Sequence, residues 1–199
     1  MTEKRLTVPL SEEDVRALDI GEIVYLDGTI YTGRDEVHIH ALEYAKEGKE
    51  IPVDFRDGVI FHCGPIMKKD GDKWVTVAAG PTTSSRMNSL EPEFIERFGV
   101  RGVIGKGGMS APTVEAMQKF GAVYFAITGG AAVLIAKGID DVLGVEWLEL
   151  GMPEAIWILK AKKLGPLIVG IDAKGNSLFA DMDAKVKENI PKVKEKLGI

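Results

Sequence analysis

Apolar and polar positions change their rhythm near the middle of this chain. In the first half the apolar runs are short and strand-like. Positions 6–10 alternate around Pro9 and predict a short edge strand, since proline cannot donate to a ladder. Ser11-Glu12-Glu13-Asp14 predicts a brief helix with Ser11 as its cap. Positions 21–31 predict a hairpin turning at Asp27-Gly28. A helix over 35–46 ends at Gly48. Positions 59–63 and 74–79 predict strands, stopped by Gly64-Pro65 and Gly80-Pro81.

The second half alternates helix and strand. Helices are expected over 91–98, 113–120 and 131–137, with strands over 102–104 and 122–127. That order favours a parallel, sandwiched sheet. Strand patterns follow at 147–150, 156–159 and 166–172, then a turn at Gly175-Asn176 and a helix over 182–197. With no linker and no repeat, the expectation is one α/β domain over 1–199 with a mixed sheet, its first half carrying more of the antiparallel pairing.

Composition narrows the function classes. The 199 residues suffice for a sizeable core, and 45% hydrophobic with 28% charged residues excludes a disordered chain. A net charge of −5 without a basic block speaks against a nucleic-acid partner. The most apolar stretch, 122–136, is too short for a membrane span and is broken by Thr128-Gly129-Gly130. Met1 to Arg5 are polar and lead straight into a strand pattern, so no signal peptide is expected. The single cysteine, Cys63, cannot form an intramolecular disulfide and suggests a reducing, cytoplasmic setting. Nor can one thiol hold a zinc site or an iron–sulfur cluster, which take three or four. His62 and Cys63 should face opposite sides of a strand, and His38 and His40 diverge on a helix, so no metal site is expected.

Three segments carry candidate chemistry, each after a predicted strand. Thr32-Gly33-Arg34-Asp35 places an arginine at a helix start, with His38 one turn on. Gly80-Pro81-Thr82-Thr83-Ser84-Ser85-Arg86-Met87 sets four hydroxyl residues before an arginine, more than capping requires, with Thr82 and Thr83 able to offer hydroxyls and backbone N–H groups to an anion. Ile104-Gly105-Lys106-Gly107-Gly108-Met109 aims a cation from a glycine-rich loop, but Gly107 stands where a phosphate-binding P-loop needs Ser or Thr.

Together and in this order, these segments, with Gly64-Pro65 and Thr128-Gly129-Gly130-Ala131-Ala132, resemble the C-terminal domain of class I iron–sulfur fumarases and the β subunit of their two-chain relatives, the L(+)-tartrate dehydratases. The resemblance implies a layered, swivelling-type β/α fold. It implies a hydro-lyase, first of all fumarate hydratase, with L(+)-tartrate or another hydroxy-diacid as the alternative. A non-catalytic anion-binding module is the reading from another class. It further implies a 4Fe–4S cluster ligated by three cysteines of a partner α subunit, none by this chain, and an α2β2 assembly. The small dicarboxylate substrate would be bound by Arg34, Thr83, Arg86 and Lys106, with Thr82 and Lys106 in the chemistry. His38, Asp35, Gly105 and Gly107 would lie just behind them.

Overall fold

The structure is a computed structural model and describes residues 3–198. Strand β1 (Glu3–Val8) and helix α1 (Glu12–Arg16) lead into β2 (Ile23–Thr32) and α2 (Asp35–Glu47). After β3 (Val59–Phe61) comes a separate hairpin of β4 (Ile66–Asp70) and β5 (Lys73–Ala78). Helix α3 (Glu91–Phe98), β6 (Gly102–Gly105), α4 (Ala111–Phe120), β7 (Val123–Ala126) and α5 (Ala132–Ala136) then alternate. The chain continues through β8 (Ile139–Glu146) and β9 (Ile156–Ile171) to α6 (Leu178–Leu197).

The main sheet runs β1-β2-β3-β6-β7-β9-β8, and β9 also pairs with β2. That second pairing closes β2, β3, β6, β7 and β9 into a five-stranded barrel-like sheet. The fold is therefore α/β with a mixed sheet. Contrary to the expectation, the early strands are the parallel ones: β1–β2, β2–β3, β3–β6 and β6–β7. Within the sheet every antiparallel pair involves β9, the return strand that completes the closure.

Side chains alternate across the barrel wall with the period of two that strands impose. Val59, Phe61, Ile104, Val123, Phe125, Trp157 and Leu159 join one buried cluster. Ile60, Val103 and Tyr124, between them in sequence, join a second with Val37, Phe94, Ile95 and Met117 of α2, α3 and α4. Because both faces are covered, β3 and β6 are buried at every position. Each fully buried Phe or Ile there contributes roughly 1.5–3 kcal/mol. Among the described residues no helix is long and apolar enough to cross a membrane.

Three local readings need correction. Asp27-Gly28 is not a turn: β2 runs through it. Gly28 has φ +104° and a Cβ there would collide with the Val8 carbonyl, while the register against β9 shifts between Leu26 and Gly28. The positive φ that a hairpin would use serves a bulge. The strands expected at 156–159 and 166–172 are two ends of the 16-residue β9. Positions 147–150 form a short 3-10 turn entered through Trp147 at φ +53°, and the strand lies before it, in β8, whose Asp and Gly residues hid it.

Candidate functional site

Parallel strands β2, β3, β6 and β7 end on one edge of the barrel, where ligands bind in open α/β sheets. After β2, buried Thr32 donates its hydroxyl to the Ala155 carbonyl (3.1 Å) and accepts the Trp157 N–H (2.9 Å). This fixes the turn in which Arg34 becomes the extended N-cap residue of α2. The Arg34 guanidinium lies so close to Gly64 that a Cβ there would come within 2.5 Å of Nη1, which accounts for glycine at 64. Its Nη2 pairs with Glu154 Oε1 at 3.1 Å, and its Nε is buried without a protein partner.

The 82–86 segment is a strap laid across the ends of β3 and β6. Thr82 N–H donates to the His62 carbonyl (2.6 Å), and Ser84 N–H to the Lys106 carbonyl (3.0 Å). Lys106 N–H points back to the Thr82 carbonyl at 3.4 Å. Thr82 thus has no free N–H for an anion, contrary to expectation; its hydroxyl remains. Thr83 is exposed and caps a short 3-10 turn, Ser84–Met87, that carries Arg86. Ser84 is not a rim residue: it is buried, with its Oγ 2.9 Å from His62 Nδ1 and accepting the Tyr124 hydroxyl at 3.0 Å. Arg86 forks onto Asp35, Nε to Oδ1 at 3.1 Å and Nη2 to Oδ2 at 2.9 Å. The Lys106 side chain runs past Gly129, with Nζ 3.9 Å from where a Cβ would stand.

Arg34, Asp35, Thr82, Thr83, Arg86, Gly105 and Lys106 therefore come together through the strap and the Arg86–Asp35 pair. Gly107 stands apart: it is exposed, a Cβ there would meet nothing within 4 Å, and its backbone is left-handed at φ +77°. His38 lies beneath the rim and is fully buried. Its Nε2 is 3.2 Å from Glu91 Oε2, and His62 Nε2 is 2.9 Å from the same oxygen. Sequence reasoning missed Glu91, since an acid opening a helix is ordinarily a solvent-facing partner of the dipole. It also missed Glu154, for which no local signal exists. As expected, Cys63 turns away from His62 into the barrel core, and His40 packs on Tyr44 and Trp147.

Burial pushes the Glu91 carboxyl up, but His62 and His38 outweigh it and hold it at about 2, below the usual 4.5. A depressed folded value contributes stability that is complete above pH 4.5 and lost as pH falls toward 2. The urea midpoint of the wild type is expected to fall between about pH 5 and pH 3, and less steeply in Glu91→Gln. Equal slopes in the two proteins would show that Glu91 is not held down.

The sequence profile of the family described as "Fumarase C-terminus" matches residues 2–182. The chain belongs to the fumarase C-terminal family. Within it, this chain is 45% identical over 191 residues to "Putative L(+)-tartrate dehydratase subunit beta" of Methanocaldococcus jannaschii, covering 96% of both chains. It is 47% identical over 178 residues to "L(+)-tartrate dehydratase subunit beta" of Escherichia coli K12, covering 89% of this chain and 87% of that one. It is 41% identical over 191 residues to "Putative fumarate hydratase class I" of Geobacillus stearothermophilus, covering 96% of this chain but 36% of that protein. Membership makes this a chain of the tartrate dehydratase and class I fumarase hydro-lyases, of β-subunit type. The family match ends within α6, most of which lies beyond residue 182.

Proposed function

We propose that this single-domain chain is the substrate-holding β subunit of a two-chain hydro-lyase that dehydrates a hydroxy-dicarboxylate, L(+)-tartrate first and malate second. The observation that carries the reading is the gathering of Arg34, Thr82, Thr83, Arg86 and Lys106 at one edge of the sheet, through the Thr82–Arg86 strap and the Arg86–Asp35 pair. The order of substrates reverses the sequence expectation. Its support is 45% and 47% identity over nearly the full length of chains named for tartrate, against 41% to a longer one named for fumarate.

An iron–sulfur cluster does not fit this chain. The only thiol, Cys63, is fully buried in the barrel core and pushed up by burial, away from the thiolate a cluster needs. A cluster therefore belongs to a partner chain with the cysteines, and α2β2 is the assembly this reading favours.

The residues of this chain perform recognisable tasks. Dehydration removes a proton beside a carboxylate, so negative charge gathers on that carboxylate as the C–H bond breaks. Lys106 and Arg86 stabilise that charge. Arg34 holds the other carboxylate through the exposed part of its guanidinium, which Glu154 orients. Both arginines are already paired, with Glu154 and Asp35, and the acids keep the guanidinium planes turned toward the rim. Thr83 adds a hydroxyl to the carboxylate site. Thr82 acts as a relay, its hydroxyl taking the C–H proton as its own passes to a base supplied by the partner chain, since an isolated hydroxyl is too weak a base.

Co-expression with the cluster-bearing partner tests the reading. Alone, this chain is expected to be inactive; assembled, it should favour L(+)-tartrate over malate by about tenfold or more in kcat/KM. Preference for malate and fumarate would establish the second reading. Activity from this chain alone, or none on any hydroxy-diacid, would overturn the proposal.

A further inference from the structure

Beneath the rim, His38, His62 and Glu91 are fully buried and meet at one carboxylate oxygen. They come from three elements: the first turn of α2, the residue after β3 and the first residue of α3. The geometry points to this sealed imidazole–carboxylate–imidazole cluster as the positioning device that sets the Arg34 turn against the Thr82–Arg86 strap. The inference rests on the dicarboxylate reading above.

The protons can be placed from the contacts. His38 Nδ1 is 2.7 Å from the Arg34 carbonyl, which can only accept, so Nδ1 carries a proton. Its Nε2 faces the Glu91 carboxylate at 3.2 Å. On the other side, Tyr124 donates to Ser84 Oγ, leaving the serine proton for His62 Nδ1. His62 is then neutral, with its Nε2–H toward Glu91. Burial lowers the His62 pKa, which agrees. The other ionisable groups around the cluster are Arg34 and Asp35 at the start of α2 and Tyr124 on β7.

Each histidine is one bond from the clamp, and Glu91 lies between the two. His38 holds the Arg34 carbonyl, and the His62 carbonyl holds Thr82 N–H. Through Ser84, His62 reaches the Lys106 backbone and the face of Gly105. One carboxylate thus ties together the three segments that would grip the substrate. Stability alone does not account for it. Glu91 Oε1 has no partner, and neither Nε2 contact is aligned as a hydrogen bond. Apolar side chains of similar volume stabilise such sites as well or better. The two histidines and Glu91 also have the composition of a metal site, but they number three, with no fourth His, Cys, Asp or Glu in the group and no exposed surface for a water.

The test begins on the full chain, labelled with nitrogen-15. Long-range proton–nitrogen spectra should show His38 protonated at Nδ1 and His62 protonated at Nε2. A His38 bare at Nδ1, or a His62 bare at Nε2, would overturn the inference, and so would one equivalent of divalent metal in the purified protein. In the assembled complex, Glu91→Gln should raise KM for the dicarboxylate about tenfold and lower kcat, with partial recovery in Glu91→Asp. Unchanged KM and kcat in a folded Glu91→Gln complex would remove the positioning role. Should that variant not fold, Ser84→Ala cuts only the His62–Tyr124 link. It should raise KM while His38 keeps its proton on Nδ1, and wild-type kinetics there would equally overturn the role. An inactive wild-type complex would sink the hydro-lyase reading separately, because the spectra need no substrate.

Discussion

Replacing Gly105 by alanine is expected to lower the thermal midpoint by roughly 5–15 °C and to cut activity in the assembled complex sharply. Gly105 ends β6, and a Cβ there would overlap Ser84 Oγ and stand 3.1 Å from the Tyr124 hydroxyl. Neither side can move away easily. The Gly105 carbonyl accepts the Ile127 N–H at 2.8 Å, and the next residue is joined to the strap through the Ser84 N–H at 3.0 Å. Overpacking of this kind costs about 1–3 kcal/mol. Breaking the buried Ser84 contacts adds about 1–3 kcal/mol, because His62 and Tyr124 would be left unpaired. Gly107→Ala is the control. It meets open space and pays only for its left-handed backbone, roughly 1 kcal/mol, so its midpoint should move by a few degrees at most. Equal midpoints for the two variants, measured by calorimetry, would show that the Gly105–Ser84 contact does not hold the strap.

The same contrast explains what the sequence made legible. The rim residues Arg34, Thr82, Thr83, Arg86 and Lys106 sit in glycine-punctuated loops after strands, and the chemistry of such loops is written within a few neighbouring positions. Their supports are not local. Glu154 reaches Arg34 across 120 positions, and His62 meets Ser84 and Glu91 only because β3 ends beneath the strap. Ser84 looked like one hydroxyl among four, and burial alone separates it from its exposed neighbours Thr83 and Ser85. In the fold, helices closed by glycine, such as α2 at Gly48 with φ +69°, were legible because the cap is local. Closure by β9 was not. It depends on one strand pairing with β2, β7 and β8 at once, and the Lys-rich middle of that strand reads as a break until those partners are in place.

Lys106→Met is expected to lower kcat of the assembled complex about 10²–10³-fold while KM changes far less. The two arginines each face an acid of their own chain, Glu154 and Asp35. Of the three cations at the rim, only Lys106 forms no ion pair among the described residues. Its charge is uncompensated before substrate arrives. The arginines can share ground-state carboxylates with their acids and fix orientation. Lys106 alone offers a full charge to the carboxylate beside the departing proton, where negative charge grows most in the transition state. An interaction that strengthens there appears in kcat, whereas one made equally in the ground state appears in KM. Methionine keeps the unbranched stem that runs past Gly129 and removes only the charge, so the thermal midpoint should hold. Lys106→Arg should recover little, because a planar guanidinium spreads over a wider fork the charge that the compact ammonium concentrates. A Lys106→Met complex with kcat within about threefold of wild type would take the charge-stabilising role from Lys106 and leave Arg86 as its bearer.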